Sequence, residues 1–154
     1  MTRPAFEPRD PGFEARVRDS FAQQGAMRTL GARIGQVEPG RVEVLVDWAE
    51  GLTQQHGFLH GGVVASALDS ACGYAAFSLM PAGTGVLTIE FKTNFVAPAQ
   101  GQRFRMVGEV VKPGRTVSLV DGRAYAIGDA GHERLVATMT ATLMAIGGRD
   151  DVKN

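Results

Sequence analysis

Hydrophobic and polar positions change period several times along this chain, and each change marks an element. Phe13, Val17 and Phe21 recur at helical spacing. Asp10-Pro11 ahead of them supplies a capping side chain and a first-turn proline, and Gly25 supplies a stop. This predicts an amphipathic N-terminal helix on the outside of the domain. Residues 28–37 read as a first strand and Pro39-Gly40 as a turn. Val42, Val44, Val46 and Trp48 then alternate with Arg41, Glu43, Leu45 and Asp47, a period of two. A loop over 50–60 leads into residues 63–80, apolar on nearly every side, which predicts a buried helix ended by Pro81-Ala82-Gly83. The rest is strand. Residues 85–96 set Leu87, Ile89, Phe91 and Phe95 against Thr88, Glu90, Lys92 and Asn94. Residues 102–111, 115–127 and 134–145 follow, with breaks at Pro98 and Gly101, Lys112-Pro113-Gly114 and Asp129-Ala130-Gly131.

Two strands, one long apolar helix and four strands joined by short turns indicate an α+β domain with an antiparallel sheet. The economical arrangement curls the sheet around the helix. The 154 residues suit a single domain with a core over about 28–145, loose at 1–9 and 147–154. Charge narrows the partners: Lys+Arg 16 balance Asp+Glu 16, so no basic excess exists to hold nucleic acid or an anionic membrane. Near-zero net charge also fits an oligomer. Cys72 is the single cysteine, which excludes an internal disulfide and a cysteine-cluster metal site. Residues 63–80 are long enough to raise the question of a membrane span, but Asp69 at their centre and their small residues argue for a helix buried in protein. The N-terminus carries no apolar signal region, so a cytoplasmic location is expected.

Asp69 is the only charge on the apolar helix, and burying a carboxylate without a partner is expensive. Either it bonds a hydroxyl such as Ser66 or Thr88, or it faces a cleft where its charge is used. The same helix opens on His60-Gly61-Gly62. Backbone N–H groups at a helix start, with the positive end of the dipole, suit negative charge developing on an oxygen. Glycine there lets a ligand come close to the backbone. A carboxylate can attack a carbonyl carbon or activate water to do so. Gly61 and Asp69 are eight residues apart, about 12 Å along a helix axis. One helix cannot present both to one carbonyl; two antiparallel copies across a two-fold can, which calls for an isologous dimer with two equivalent sites. His56 and His60 have the spacing of zinc ligands, but no glutamate lies between them and the segment reads as loop, so no metal is expected. His132, beside a turn, reads as exposed, and Cys72 as an inert buried thiol.

This order of elements resembles the hotdog-fold acyl-CoA thioesterases over roughly residues 28–145. The resemblance rests on His60-Gly61-Gly62, Asp69, Gln54, the small-residue helix and Phe95-x-x-Pro98. It is nearest to the phenylacetate-pathway (PaaI-type) branch and the related 4-hydroxybenzoyl-CoA thioesterases. The resemblance implies a hotdog fold with an extra N-terminal helix, an acyl-CoA substrate, no cofactor, and a homodimer with shared sites that pairs into a dimer of dimers. It implies that the Gly61 N–H polarises the thioester carbonyl, that Asp69 is nucleophile or general base, and that Gln54 contacts the carbonyl side. His60 would support the loop and Thr88 would help hold the water. Gln54 follows a branch with a catalytic glutamate whereas Asp69 follows the PaaI type, which leaves the substrate class open. Gly62 would share the close approach at Gly61, and Lys112, Arg115 and Arg123 are candidate partners for the phosphates of CoA. Phe77, Phe95, Tyr74 and Met80 are either pocket or core. Two other readings stand beside hydrolysis: a hotdog hydratase or dehydratase of acyl thioesters, and an acyl-CoA-binding module without turnover.

Overall fold

The computed structural model describes residues 5–152; residues 1–4 and 153–154, in the loose ends expected from the sequence, lie outside the described residues. In chain order the elements are α1 (Phe13–Ala22), α2 (Gly25–Thr29), β1 (Arg33–Glu38), β2 (Arg41–Asp47), α3 (Gly61–Phe77), β3 (Gly85–Phe95), β4 (Arg103–Lys112), β5 (Val117–Ile127) and β6 (Glu133–Ile146). The strands form one antiparallel sheet in the order β1-β2-β4-β5-β6-β3. Helix α3 lies across its inner face and touches β2, β3, β4, β5 and β6. No helix among the described residues is long and apolar enough to cross a membrane.

The period of two builds the core. Val42, Val44 and Val46 of β2, Phe104 and Met106 of β4, Val120 and Ala124 of β5, and Met139 and Leu143 of β6 all turn inward and are buried. They meet Val64, Leu68, Ala71 and Phe77 of α3, also buried. The seat of the helix is set by two glycines. Gly108 and Gly122 face each other across β4 and β5. A Cβ at Gly108 would lie 2.4 Å from the Ala71 carbonyl oxygen, and one at Gly122 2.8 Å from the Cys72 sulfur. Only glycine lets the helix backbone come this near the sheet.

Three expectations are corrected. Helix α1 begins at Phe13, not at Pro11: the Asp10 carboxylate accepts from the Gly12 N–H at 2.9 Å and shapes a turn ahead of the helix. The first strand begins at Arg33, because residues 25–29 turn into α2, where Met27 reaches the core; Gly25 opens this helix. In β3 the alternation breaks. Ile89 is a bulge, so Leu87 pairs with outward-facing Met144, whereas Thr88 pairs with Leu143 and Phe91 with Ala141, both inward-facing and buried. Thr88, Phe91 and Phe95 therefore share the helix side of the sheet.

Helix α1 seals the C-terminal end of α3. The Arg16 guanidinium donates to the carbonyls of Met80 at 2.7 Å and Pro81 at 3.1 Å, stacks 4.3 Å above the Phe77 ring and pairs with Asp10 at 3.0 Å. In the lead-in, Phe6 packs against the core beside Gly40.

The glycine seat gives the first prediction. Gly108→Ala puts a methyl group against helix backbone that has no side-chain freedom to yield. It should destabilise the fold by about 1–3 kcal/mol or more, as overpacking does. Gly51→Ala, where a Cβ meets nothing within 4 Å, should stay within about 0.5 kcal/mol of wild type. Urea unfolding of the two variants checks both values.

Candidate active site

The loop before α3 is held at both ends. The Trp48 indole N–H donates to the Gly57 carbonyl at 3.0 Å, the Leu59 N–H to Ala99 at 3.0 Å, and the His60 N–H to Leu52 at 2.9 Å. Within it, Gln54 closes a tight turn with Gly57, whose φ of 82° suits glycine. The Gln54 side-chain oxygen accepts from the His56 N–H, which fixes the amide so that its NH₂ group is the free end.

A helix start leaves four backbone donors without helical partners. Here three are satisfied: His60 by Leu52, Gly62 by its bond to His60 Nδ1 at 2.9 Å, and Val63 by the His60 carbonyl at 2.9 Å. The Gly61 N–H has no partner among the described residues. His60 is thus the N-cap of α3, its Nδ1 used as an acceptor. Gly61 opens on a cavity of about 540 Å³ with Gln54, Phe58, Phe95 and Pro98 in its wall. The Phe95 ring lies 3.1 Å from where a Gly61 Cβ would be.

Asp69, two turns further on, is half-buried and opens on a second cavity of about 220 Å³. The Thr88 hydroxyl donates to its Oδ1 at 2.8 Å; Ser66 instead donates to the Gly62 carbonyl. Burial raises the Asp69 carboxyl above its ordinary value, and the Thr88 hydrogen bond opposes this. The carboxylate is therefore poorly solvated. Cys72 is inert: burial raises its thiol well above the ordinary range, with the charges of Asp69 and Asp121 adding to the effect.

The structure thus groups the expected site residues in two places, Gln54, His60, Gly61 and Gly62 at the helix start, and Asp69 with Thr88 at its middle. Within one chain Gln54 and Gly61 line one cavity and Asp69 and Thr88 another. Lys112, Arg115 and Arg123 border neither. Lys112 ends β4 on the surface, Arg115 borders a cavity beside Phe6 and Met80, and Arg123 stands on the outer face with Glu109 at 3.7 Å. Tyr74 is buried and borders the Asp69 cavity, Phe95 borders the Gly61 cavity, and Phe77 is core; Met80 is buried beside Arg115. The sequence offered no sign of Gln24, which enters the Asp69 cavity from the α1–α2 junction, or of Phe58. His56 and His132 are exposed, and no group of three or more His, Cys, Asp or Glu among the described residues could hold a metal.

The position of Asp69 has a cost that can be measured. A carboxyl raised in the folded state favours folding while protonated and loses that contribution as pH rises through its folded value. Asp69→Asn keeps the acceptor for Thr88 and removes the charge. It should melt at or above the wild-type temperature near neutrality, and the difference should shrink as pH falls through the raised folded value towards the ordinary carboxylate value, staying constant below it. Thermal unfolding across that range checks it.

Known proteins are similar to this chain in sequence and fold. Residues 56–131 match the family described as Thioesterase superfamily. A thioesterase family protein from Silicibacter pomeroyi, solved by crystallography, is 60% identical, with a TM-score of 0.87 over 89% of this chain and 100% of that one. A protein of Saccharolobus solfataricus named "Putative esterase" is 34% identical over 109 residues, 71% of this chain and 72% of its own length. The PaaI protein from the phenylacetic acid degradation operon of E. coli superposes with a TM-score of 0.77 over 88% of this chain and 94% of its own, at 19% identity, a likeness of fold. The chain belongs to the thioesterase superfamily and has its hotdog fold.

Proposed function

We propose that the protein hydrolyses acyl-CoA thioesters to the free acid and CoA, without a cofactor, at two equivalent sites shared across a homodimer. The observation that carries this reading is the pair of half-sites on one helix. The unbonded Gly61 N–H and the desolvated Asp69 carboxylate open on different cavities, about 12 Å apart along the axis of α3. A two-fold that sets α3 antiparallel to its copy brings the Gly61 of one subunit to the Asp69 of the other.

In that site the thioester oxygen lies against the Gly61 N–H, strengthened by the helix dipole, with the Gln54 NH₂ beside it. Asp69 then works by one of two balanced routes. Its oxygen bonds to the carbonyl carbon, the C–S bond breaks, CoA leaves as thiolate, and water hydrolyses the anhydride. Alternatively Asp69 takes a proton from water, the hydroxide attacks, and the proton passes to the departing sulfur. CoA released ahead of the acid in the first turnover marks the anhydride route. Thr88 holds the carboxylate in place in both. His60 commits its Nδ1 to the helix cap, which supports hydrolysis over a hydratase that would need this histidine as a base.

The edge strand β3 supports the dimer. Leu87, Ile89, Phe91 and Phe95 along it are 48%, 49%, 43% and 55% exposed, and its free edge offers backbone groups to a second copy. Exposed Val111, Val117 and Leu119 on the outer face support a further pairing into a dimer of dimers. Lys112 and Arg115 are the cations proposed for the CoA phosphates, with Arg123 already sharing its charge with Glu109. We read the chain as a single-domain enzyme of the cytoplasm.

The helix start offers a clean test. Proline is tolerated at the first helical position and removes the N–H, and its Cβ, 3.1 Å from the Phe95 ring, asks only that exposed side chain to shift. His60 already has the extended backbone that a following proline requires. Gly61→Pro should therefore fold and lose about 10²–10³ in kcat on acyl-CoA substrates, the cost of one oxyanion donor. Asp69→Asn should lose about 10²–10⁴. Mixing the two inactive variants under subunit exchange should restore about a quarter of wild-type activity, since half the dimers then carry one intact site. Full activity in either folded variant overturns the mechanism; a mixture as inactive as its parts overturns the sharing.

A further inference from the structure

Gly73 lies one turn beyond Asp69 on the same side of α3. Glycine is the poorest helix former after proline, so a glycine in the middle of a buried helix needs a reason. Close packing within the chain is not the reason. Gly73 is buried, yet a Cβ built there meets no atom within 4 Å. The contrast with Gly108 and Gly122 is sharp, because a Cβ at either of those would strike the helix. The space at Gly73 is the cavity of about 220 Å³ that also holds Asp69 and Thr88.

That cavity has a polar wall on the side of α1. Gln24 donates from Nε2 to the Tyr74 hydroxyl at 2.9 Å and accepts from the Ser70 hydroxyl at 3.2 Å; Ser20 shares a 3.0 Å hydrogen bond with the same Tyr74 oxygen. Ser20, Ser70 and Tyr74 are buried. The network is tied together on both sides of the α1–α3 contact, so the wall is fixed rather than adaptable. A long alkyl chain entering here would have to displace these bonds and leave buried polar groups unpaired, which is costly.

We propose that Gly73 is a specificity-determining residue: the side chain it lacks leaves the room beside Asp69 that receives a compact acyl group, and the Gln24–Tyr74–Ser70 wall closes that room to long chains. This rests on the thioesterase reading above. The acyl group sits within one helical turn of the carboxylate, as attack on its carbonyl carbon requires. A Cβ at position 73 would enter the same space without meeting Asp69, Thr88 or the strands.

Gly73→Ala and Gly73→Val, assayed on acetyl-CoA and phenylacetyl-CoA with thermal unfolding alongside, test this. Gly73→Ala should melt at or above wild type. In Gly73→Val the phenylacetyl-to-acetyl ratio of kcat/KM should fall about tenfold or more, the scale on which methylene-sized changes in a pocket discriminate. An unchanged ratio in the folded valine variant, a lower melting temperature for the alanine variant, or a wild type acting only on long-chain acyl-CoAs overturns the inference and leaves thioester hydrolysis standing. A wild type that hydrolyses no acyl-CoA overturns both.

Discussion

The contact of the Ala71–Cys72 backbone with Gly108, and of the Cys72 and Leu68 side chains with Gly122, sets the depth at which α3 sits in the sheet. Small residues on the helix, Ala67, Ala71 and Ala75, continue the same close fit and are fully buried. Because the helix lies so near β4 and β5, the flanking strands meet its sides, and it has little room for a polar face. The apolar character of α3 follows from this seat. So does the isolation of its one charge.

Against that background the two places where α3 meets open space stand out. At its start, three of the four leftover backbone donors are satisfied and Gly61 has no partner among the described residues. At its middle, Asp69 has one hydroxyl partner and a cavity. The desolvated carboxylate costs stability, and a chain selected only for folding would neutralise it. A local rule broken inside an otherwise consistent core is expected at a functional or strained site, and the proposed function rests on this one. The Phe91 and Phe95 rings, turned to the helix side yet open to solvent, extend this tension to the sheet edge.

Much of this was legible in the sequence, and what was not has a common cause. The inward valines of β2 follow from period alone, as do six strands around one apolar helix. In β3 the same period misled, because the bulge at Ile89 shifts the faces on either side of it. Helix α2 was hidden because its five residues carry too few apolar positions to show a helical period. Lys112, Arg115 and Arg123 were grouped by nearness to a turn, whereas the sheet distributes them over a strand end, a turn and the outer face.

The sequence by itself determined the six strands, the N-terminal helix, the buried helix, the odd carboxylate and the glycines ahead of it. These are matters of local period, capping and composition, each contained within one or two turns of chain. Only the tertiary structure decided that Thr88 faces Asp69, that Gln24 borders the same cavity from another helix, and that Gly73 opens on space while Gly108 and Gly122 do not. Those relations depend on strand register and helix seating between distant segments. Identical glycines carry opposite meanings until that seating is known.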